Sequence, residues 1–294
     1  MNLIEPDMKI KYFTLGIVLV VLISCNQNTS KNQNSQAAYD YGTKNDSALF
    51  YFNKGWEYIM DYGQWTLSEK AFRKAVEFDT TFLVGKSLVG KITQDLDERI
   101  RLWDELNIKK QNASKDEQLL LESTLNILEL FNARDQNMKL DKKFMSDFKE
   151  MSESNYREFV HKYPNESYFK AEYFEILHSN HNAQVALDSL NFLSTTKQKE
   201  LPSFISLAAA FESDLGNYEK ALSLADKLQT KINNPDIPAP YVLYAQIYSK
   251  MDSLSLTKTY IDKAVALDTN HLIAKRLKTY IDSKLKPKVN NGFK

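Results

Sequence analysis

The sequence predicts an all-α fold. Apolar residues recur three and four positions apart, as at Ile273, Leu277 and Ile281, and this is the period of a helix with one buried face. The chain of 294 residues has only 8 Gly and 7 Pro, and no stretch shows the alternating pattern of a strand. We therefore expect helices from about residue 47 to residue 286, preceded by a leader and a flexible segment.

The leader comes first along the chain. Its apolar run, residues 13–23, is 11 residues long, whereas crossing a bilayer takes about 20. Lys9 and Lys11 precede the run, and Ser24 and Cys25 follow it. A basic start, a short apolar segment and small residues before a cleavage site are typical of a secretory signal peptide, here residues 1–24. Either Met1 or Met8 can be the initiator.

The end of the leader, Leu22-Ile23-Ser24-Cys25, resembles the lipobox of bacterial lipoproteins. The resemblance implies that Cys25 is acylated and becomes the first residue of the mature protein, which would be held by lipid to the outer membrane, facing the periplasm. The alternative is an ordinary signal peptide followed by an incidental cysteine. Because Cys25 is the only cysteine, the lipoprotein hypothesis leaves the mature chain without disulfides or thiolate metal sites.

The segment 25–46 is predicted to be a flexible tether. It is rich in Asn, Gln and Ser and contains no large aliphatic residue, so it has little surface to bury in exchange for its ordering entropy. A polar coil of this length reaches roughly 25 Å. We expect it to hold the folded part away from the membrane.

Beyond the tether the sequence repeats itself. Residues 49–82 and 240–271 both end in Lys-Ala-Val, one residue, an apolar residue and Asp-Thr. Further copies lie at 207–228 and, more degraded, at 167–193. The interval from 83 to 166 has room for two or more further units. Internal repeats of the length of these copies predict a fold of stacked helical pairs.

These copies resemble tetratricopeptide repeats, which are helix–turn–helix units of about 34 residues. The Gly-Asn-Tyr-Glu-Lys-Ala-Leu at 216–222 is similar to the turn into the second helix of that family. The resemblance implies a solenoid over 47–286, with small residues where paired helices approach and a capping helix at 271–286 before a short tail, 287–294. The small residues are Ala209, Ala221, Ala245 and Ala264.

Motifs for chemistry are not found. The sequence contains no G-x-x-x-x-G-K-[ST], G-x-G-x-x-G, H-E-x-x-H or G-x-S-x-G. His178 and His181 form the one close histidine pair, and its polar surroundings favour solvated side chains over a metal site. The Asp and Glu residues lie on helical faces among basic residues, as at Glu69-Lys70, which predicts solvated carboxylates. We therefore expect no catalytic residue, no metal and no cofactor.

Charge is balanced, with 38 basic and 38 acidic residues, so no excess charge favours nucleic acid. Tetratricopeptide solenoids bind partners along a concave face formed by the first helix of each pair. The resemblance implies a partner site here, and the function it implies is that of a non-enzymatic scaffold of the cell envelope binding a partner peptide or helix. The alternative is a subunit of an outer-membrane assembly or nutrient-uptake machine. The inward positions are Asn53, Glu57, Tyr168, Glu175, His178 and Gln246, together with Ser206, Ala210 and Val242.

Overall fold

The computed structural model describes residues 39–285. Within this range the protein consists of α-helices and the segments that connect them, with no β-strand, which confirms the all-α prediction. Cys25, the leader and most of the tether lie outside the described residues. None of the helices between residues 39 and 285 has the length and apolar character needed to cross a membrane.

The helices follow one another with short connections. A π-helical turn, Glu57–Asp61, continues the first helix, and a 3₁₀ turn, Lys110–Asn112, follows the fourth. The described helices are α1 Asp46–Trp56, α2 Trp65–Phe78, α3 Leu83–Ile92, α4 Leu96–Lys109, α5 Lys115–Asp135, α6 Lys142–Lys162, α7 Ser167–Asn180, α8 Ala183–Leu193, α9 Thr196–Lys199, α10 Pro202–Asp214, α11 Tyr218–Ile232, α12 Ala239–Lys250, α13 Leu254–Leu267 and α14 Leu272–Leu285.

Local sequence explains where several helices begin and end. Ser114 and Glu117 form a reciprocal capping box at the start of α5, which satisfies two backbone N–H groups that the helix leaves unpaired. Gly216, in the turn between α10 and α11, has a φ of +81°. A glycine adopts this left-handed conformation without steric cost, as the resemblance of residues 216–222 implied.

Neighbouring helices pack in pairs, and small residues lie where the pairs touch. Helix α10 packs on α11 and α12 packs on α13. Ala209, Ala221, Ala245 and Ala264 are all fully buried. Full burial at these four positions agrees with the expected close helix contacts. The interval from 83 to 166 holds two further pairs, α3 with α4 and α5 with α6.

The first and last parts of the described chain touch each other. The Thr66 backbone N–H and hydroxyl donate to the two carboxylate oxygens of Asp268, at 2.9 and 2.7 Å. The Ala239 N–H donates to the Tyr62 carbonyl at 3.1 Å. The ring of Trp65 lies on that of His271, with centroids 5.5 Å apart. These contacts join the start of α2 to α12 and to the turn between α13 and α14.

The folded part begins earlier than composition predicted. Tyr41 is only 4% exposed and its hydroxyl donates to the Glu166 carboxylate, while the Tyr39 N–H donates to the same side chain at 3.2 Å. Residues 39–45, which the sequence assigned to the tether, therefore belong to the helical body. The prediction relied on the lack of aliphatic residues and overlooked the apolar surface that two tyrosines can bury.

A buried carboxylate joins three parts of the fold. Asp61, in the π-helical turn, is 5% exposed and accepts hydrogen bonds from the Tyr168 hydroxyl and the Ser203 N–H, both at 2.9 Å. Burial raises the pKa of Asp61, and the hydrogen bonds partly offset that increase. Since Ser203 is in the first turn of α10, the helix dipole also favours a negative charge there. Asp61 thus fixes α1, α7 and α10 relative to one another.

Candidate functional site

The inner side of the helix array lines a half-open cavity of about 530 Å³, which we call the central cavity. This volume lies within the range of small-molecule and side-chain pockets. Most of the wall comes from the first helix of successive pairs, α1, α3, α5, α7, α10 and α12, with α14 completing it. Helices α4, α8, α11 and α13 contribute no residue.

Most of the lining is apolar. Aromatic rings and aliphatic side chains cover most of the wall, and polar residues form the smaller part of it. The apolar lining comprises Trp56, Ile59, Met60, Trp65, Phe72, Leu88, Ile92, Ile127, Leu130, Phe131, Phe148, Ile176, Leu207, Ala210, Ala239, Val242, Leu243, Leu272 and Ile273. Burying an apolar group against such a wall is favourable by about 25 cal/mol per Å². The cavity therefore suits a ligand with an apolar body.

One acidic residue of the wall already has a counterion. Glu172, on α7, forms an ion pair with Lys91 of α3, and the two side chains are 11% and 26% exposed. The Lys91 ammonium also lies over the indole of Trp56, 5.9 Å from the ring centroid. Partial burial strengthens both contacts compared with a surface pair. Glu172 is therefore neutralised within the protein.

Glu175 lies one helical turn further along α7 and lacks such a partner. No donor is within hydrogen-bond distance of its carboxylate among residues 39–285. Its side chain is exposed to the water in the cavity, while the surrounding helices replace part of the bulk solvent around it. This desolvation, together with the nearby charge of Glu172, raises the pKa of Glu175 to about 7, and Lys91 opposes the shift. Burial and the same two carboxylates raise the pKa of the adjacent Tyr156 phenol.

The part of the wall formed by α12, α14 and the turn before α14 carries positive and neutral polar groups. Arg276, on α14, is exposed and has no acidic partner in the described part of the chain. Burial lowers the pKa of His271 to about 4, so its imidazole is neutral near pH 7. Gln246 of α12 adds an amide. The cavity thus presents an unpaired acid on α7 and an unpaired base on α14.

The inward positions predicted from the sequence separate into two groups. Glu175 and Gln246 line the central cavity, as do Ser206, Ala210 and Val242. Four other candidates do not line it. Asn53 is exposed to solvent. Glu57 forms an ion pair with Lys54 at 2.6 Å.

Tyr168 and His178 make contacts within the protein. The Tyr168 hydroxyl is the donor to Asp61, and its ring stacks on Trp56 with centroids 6.0 Å apart. His178 pairs with Asp214 at 3.0 Å, whereas His181 pairs with Glu153 at 2.8 Å. The two histidines therefore have separate carboxylate partners. In the described part of the chain, no three His, Cys, Asp or Glu residues cluster as metal ligands.

Sequence reasoning missed several polar groups of the site. Lys91, Glu172 and Arg276 lie in the cavity wall but were not among the predicted inward positions. The expectation that carboxylates are solvated was also wrong for Asp61 and Glu212, which are 5% and 2% exposed. The i,i+3 spacing of Glu172 and Glu175 on one helix was the available signal, since residues three apart share a face.

Comparison with known proteins adds no identification. No protein-family model matches this chain, and no curated protein matches it.

Proposed function

We propose that the protein is a lipid-anchored interaction protein of the bacterial cell envelope, without enzymatic activity, that binds a segment of a partner protein in the central cavity. The observation that carries the proposal is the apolar cavity formed by the first helix of successive pairs. Apolar side chains of a helix or peptide that enter such a wall lose contact with water, and this is the usual basis of helix recognition in a groove. The proposal also takes the helix pairs to be tetratricopeptide-type repeats.

The lipid anchor is supported by the sequence Leu22–Cys25. Replacing Cys25 by Ala should leave an unprocessed precursor or a soluble protein, because neither cleavage nor acylation can occur without the thiol. Membrane fractionation and gel migration would measure this. A Cys25→Ala variant that fractionates and migrates like the wild type would contradict the anchor.

Site-specific crosslinking tests the binding site. A photoreactive side chain at Gln246, in the cavity wall, should capture the partner in the native envelope. The matched control is Glu219, which is exposed on α11, a helix that does not line the cavity. Capture from Glu219 alone, or only from those positions within 105–150 that do not line the cavity, would overturn the proposed site.

A second candidate function is acid–base catalysis, and one observation favours it. A carboxyl group with a raised pKa in a cleft, here Glu175, is typical of catalytic acids. The neighbouring carboxylate fits this function less well, because Lys91 already pairs with Glu172. Turnover of a ligand that the cavity captures, abolished by Glu175→Gln, would favour catalysis. Retention of the ligand unchanged would favour the interaction protein.

A further inference from the structure

We propose that the partner segment bound in the central cavity carries one basic side chain, Lys or Arg, among apolar side chains, and that its cation lies against the Glu175 carboxylate. This inference rests on the proposed function, because it specifies the chemistry of the segment that the cavity receives.

The first step of the argument is the state of the two acids. Glu172 is neutralised by Lys91, whereas the Glu175 carboxylate has neither a hydrogen-bond donor nor an ion pair within residues 39–285. The Glu175 carboxylate is exposed to cavity water but has no counterion, and the apolar wall beside it makes its solvation poorer than at an open surface. A ligand that brings a cation to this position supplies the missing partner and gains a charge-assisted hydrogen bond.

The second step is the wall around Glu175. Ile176, which follows Glu175 on α7, lines the cavity. Leu207 and Ala210 of α10 line it as well. Lys and Arg side chains carry long aliphatic stems that pack along apolar surface while the charged end stays at a polar group. A basic side chain therefore matches both the apolar wall and its single unpaired acid. An acidic or uncharged segment would leave Glu175 unpaired.

The third step considers the other charged groups that face the cavity. Lys91 lies on α3 and Tyr156 on α6, and both are already engaged near Glu172. Arg276 on α14 and Glu175 on α7 are both exposed, so water in the cavity screens the repulsion between Arg276 and a cation beside Glu175. His271 is neutral near pH 7. The position beside Glu175 is therefore the most favourable one for a cation.

A consequence is that binding depends on pH. Near pH 6 the Glu175 carboxyl is mainly protonated, since burial holds its pKa at about 7. A cation favours the ionised form, so binding releases a proton at that pH. The affinity for a basic segment should therefore be lower at pH 6 than at pH 8.

Three synthetic peptides provide the test. Each is an amphipathic helix with Leu and Phe on one face, and they differ only in one central residue of that face, which is Lys, Gln or Glu. Calorimetric titration of the full-length chain in detergent at pH 8 should show that the Lys peptide binds about tenfold more tightly than the Gln peptide, as expected for one charge-assisted hydrogen bond. The Glu peptide should bind most weakly.

Two variants assign the preference to one side chain. In Glu175→Gln the Lys and Gln peptides should bind with nearly equal affinity, and the removal of an unpaired acid should leave the fold intact. In the control Glu219→Gln the tenfold preference should remain. Equal binding of the Lys and Gln peptides by the wild type would overturn the inference, as would a preference retained in Glu175→Gln. Absence of binding by all peptides would overturn it as well.

A third variant separates this inference from the proposed function. Ala210 is half-buried in the cavity wall, and Ala210→Trp fills part of the cavity. If the wild type binds the Lys and Gln peptides equally and Ala210→Trp abolishes both, the cavity binds apolar segments but the charge preference is wrong. If Ala210→Trp binds as the wild type does, the peptides bind elsewhere, and both the inference and the proposed site fail.

Discussion

Helix α7 carries a buried charge and a solvent-exposed one five positions apart. Lys170 is 1% exposed, and its ammonium donates to the carbonyls of Pro164 and Leu193 and to the side-chain oxygen of Gln198, at 2.6, 2.9 and 3.0 Å. Glu175 faces the central cavity, and among the described residues no group donates to its carboxylate. One charge is fully satisfied by the protein and the other is not.

The difference separates a structural charge from one available for binding. Pro164 follows α6 and Leu193 ends α8, so Lys170 binds carbonyl groups at the negative ends of two helix dipoles. Burial lowers the pKa of Lys170 to about 8, and the ammonium therefore stays largely protonated at pH 7. Its three hydrogen bonds hold α6, α7, α8 and α9 together. Glu175 joins no such elements, which leaves it free to meet a ligand.

The largest expected effect comes from adding an unpaired charge to a closed contact. Ala221 is fully buried among the apolar residues of α10 and α11. Ala221→Glu should lower the free energy of unfolding by about 4 kcal/mol or more, because the carboxylate has neither water nor a partner there. Urea unfolding measures the loss. In the matched control, Ala210→Glu, the new carboxylate enters the open cavity, and the loss should be less than half as large. Equal losses would mean that the cavity does not differ from the closed core.

Removing the satisfied charge should have the next largest effect. Lys170→Met removes three hydrogen bonds made by a buried ammonium and should cost roughly 3 kcal/mol of unfolding free energy. The Pro164 carbonyl and the Gln198 side-chain oxygen keep one donor each, Gln198 Nε2 and the Thr195 N–H. Lys199 is a suitable control, because it donates to one backbone carbonyl, that of Asn191, from a more exposed position. Lys199→Met should change stability by less than about 0.5 kcal/mol. A Lys170→Met variant as stable as the wild type in chemical denaturation would show that this charge has no structural role.

A smaller effect is expected from removing one hydrogen bond to the buried Asp61 carboxylate. Tyr168→Phe removes one of the two hydrogen bonds to Asp61 and should cost about 1 kcal/mol. Tyr51→Phe is the control, since the Tyr51 phenol makes no hydrogen bond within the described residues. The stability of this variant should equal that of the wild type. Thermal unfolding of both variants measures the difference. Because Tyr168 supports the fold, its larger substitutions would alter stability and binding together.

The smallest effect concerns the unpaired acid itself, and it depends on pH. Folding raises the pKa of Glu175, so the native protein holds its proton more tightly than the unfolded chain does. Wild-type stability therefore falls as pH rises from about 4.3 towards 7. The Glu175→Gln variant has no carboxylate to ionise at this position, so it should melt at a higher temperature than the wild type at pH 8. The difference should be no more than about 3 °C, because cavity water screens the charge. The variant and the wild type should melt at the same temperature at pH 4. A Glu175→Gln variant that melts at a lower temperature than the wild type at pH 8 would contradict the raised pKa of Glu175.

Much of the helical architecture was predictable, because it depends on local spacing. The apolar period at Ile273 and Ile281 placed a last helix at 271–286, and α14 spans Leu272–Leu285. The family-derived inward positions included Glu175 and Gln246, which do line the cavity.

The polar chemistry of the site was not predictable, because it depends on residues distant in sequence. Lys91 and Glu172 are 81 positions apart, and Thr66 and Asp268, which join α2 to the turn after α13, are 202 apart. No local pattern marks either pair. The repeats also predicted stacked neighbours only, so contact between the first and last helices could not be read from them.

The most direct test of the contrast between Lys170 and Glu175 is the titration of Glu175 in the free protein. Carbon-13 NMR of the labelled Glu side-chain carboxyls, with Glu175→Gln to assign the resonance, would follow its protonation. We expect a midpoint near pH 7. The Lys peptide described above should lower the midpoint. A midpoint near pH 4.5 in the free protein would contradict the account, because it would show that the Glu175 carboxylate already has solvent or a partner to stabilise it.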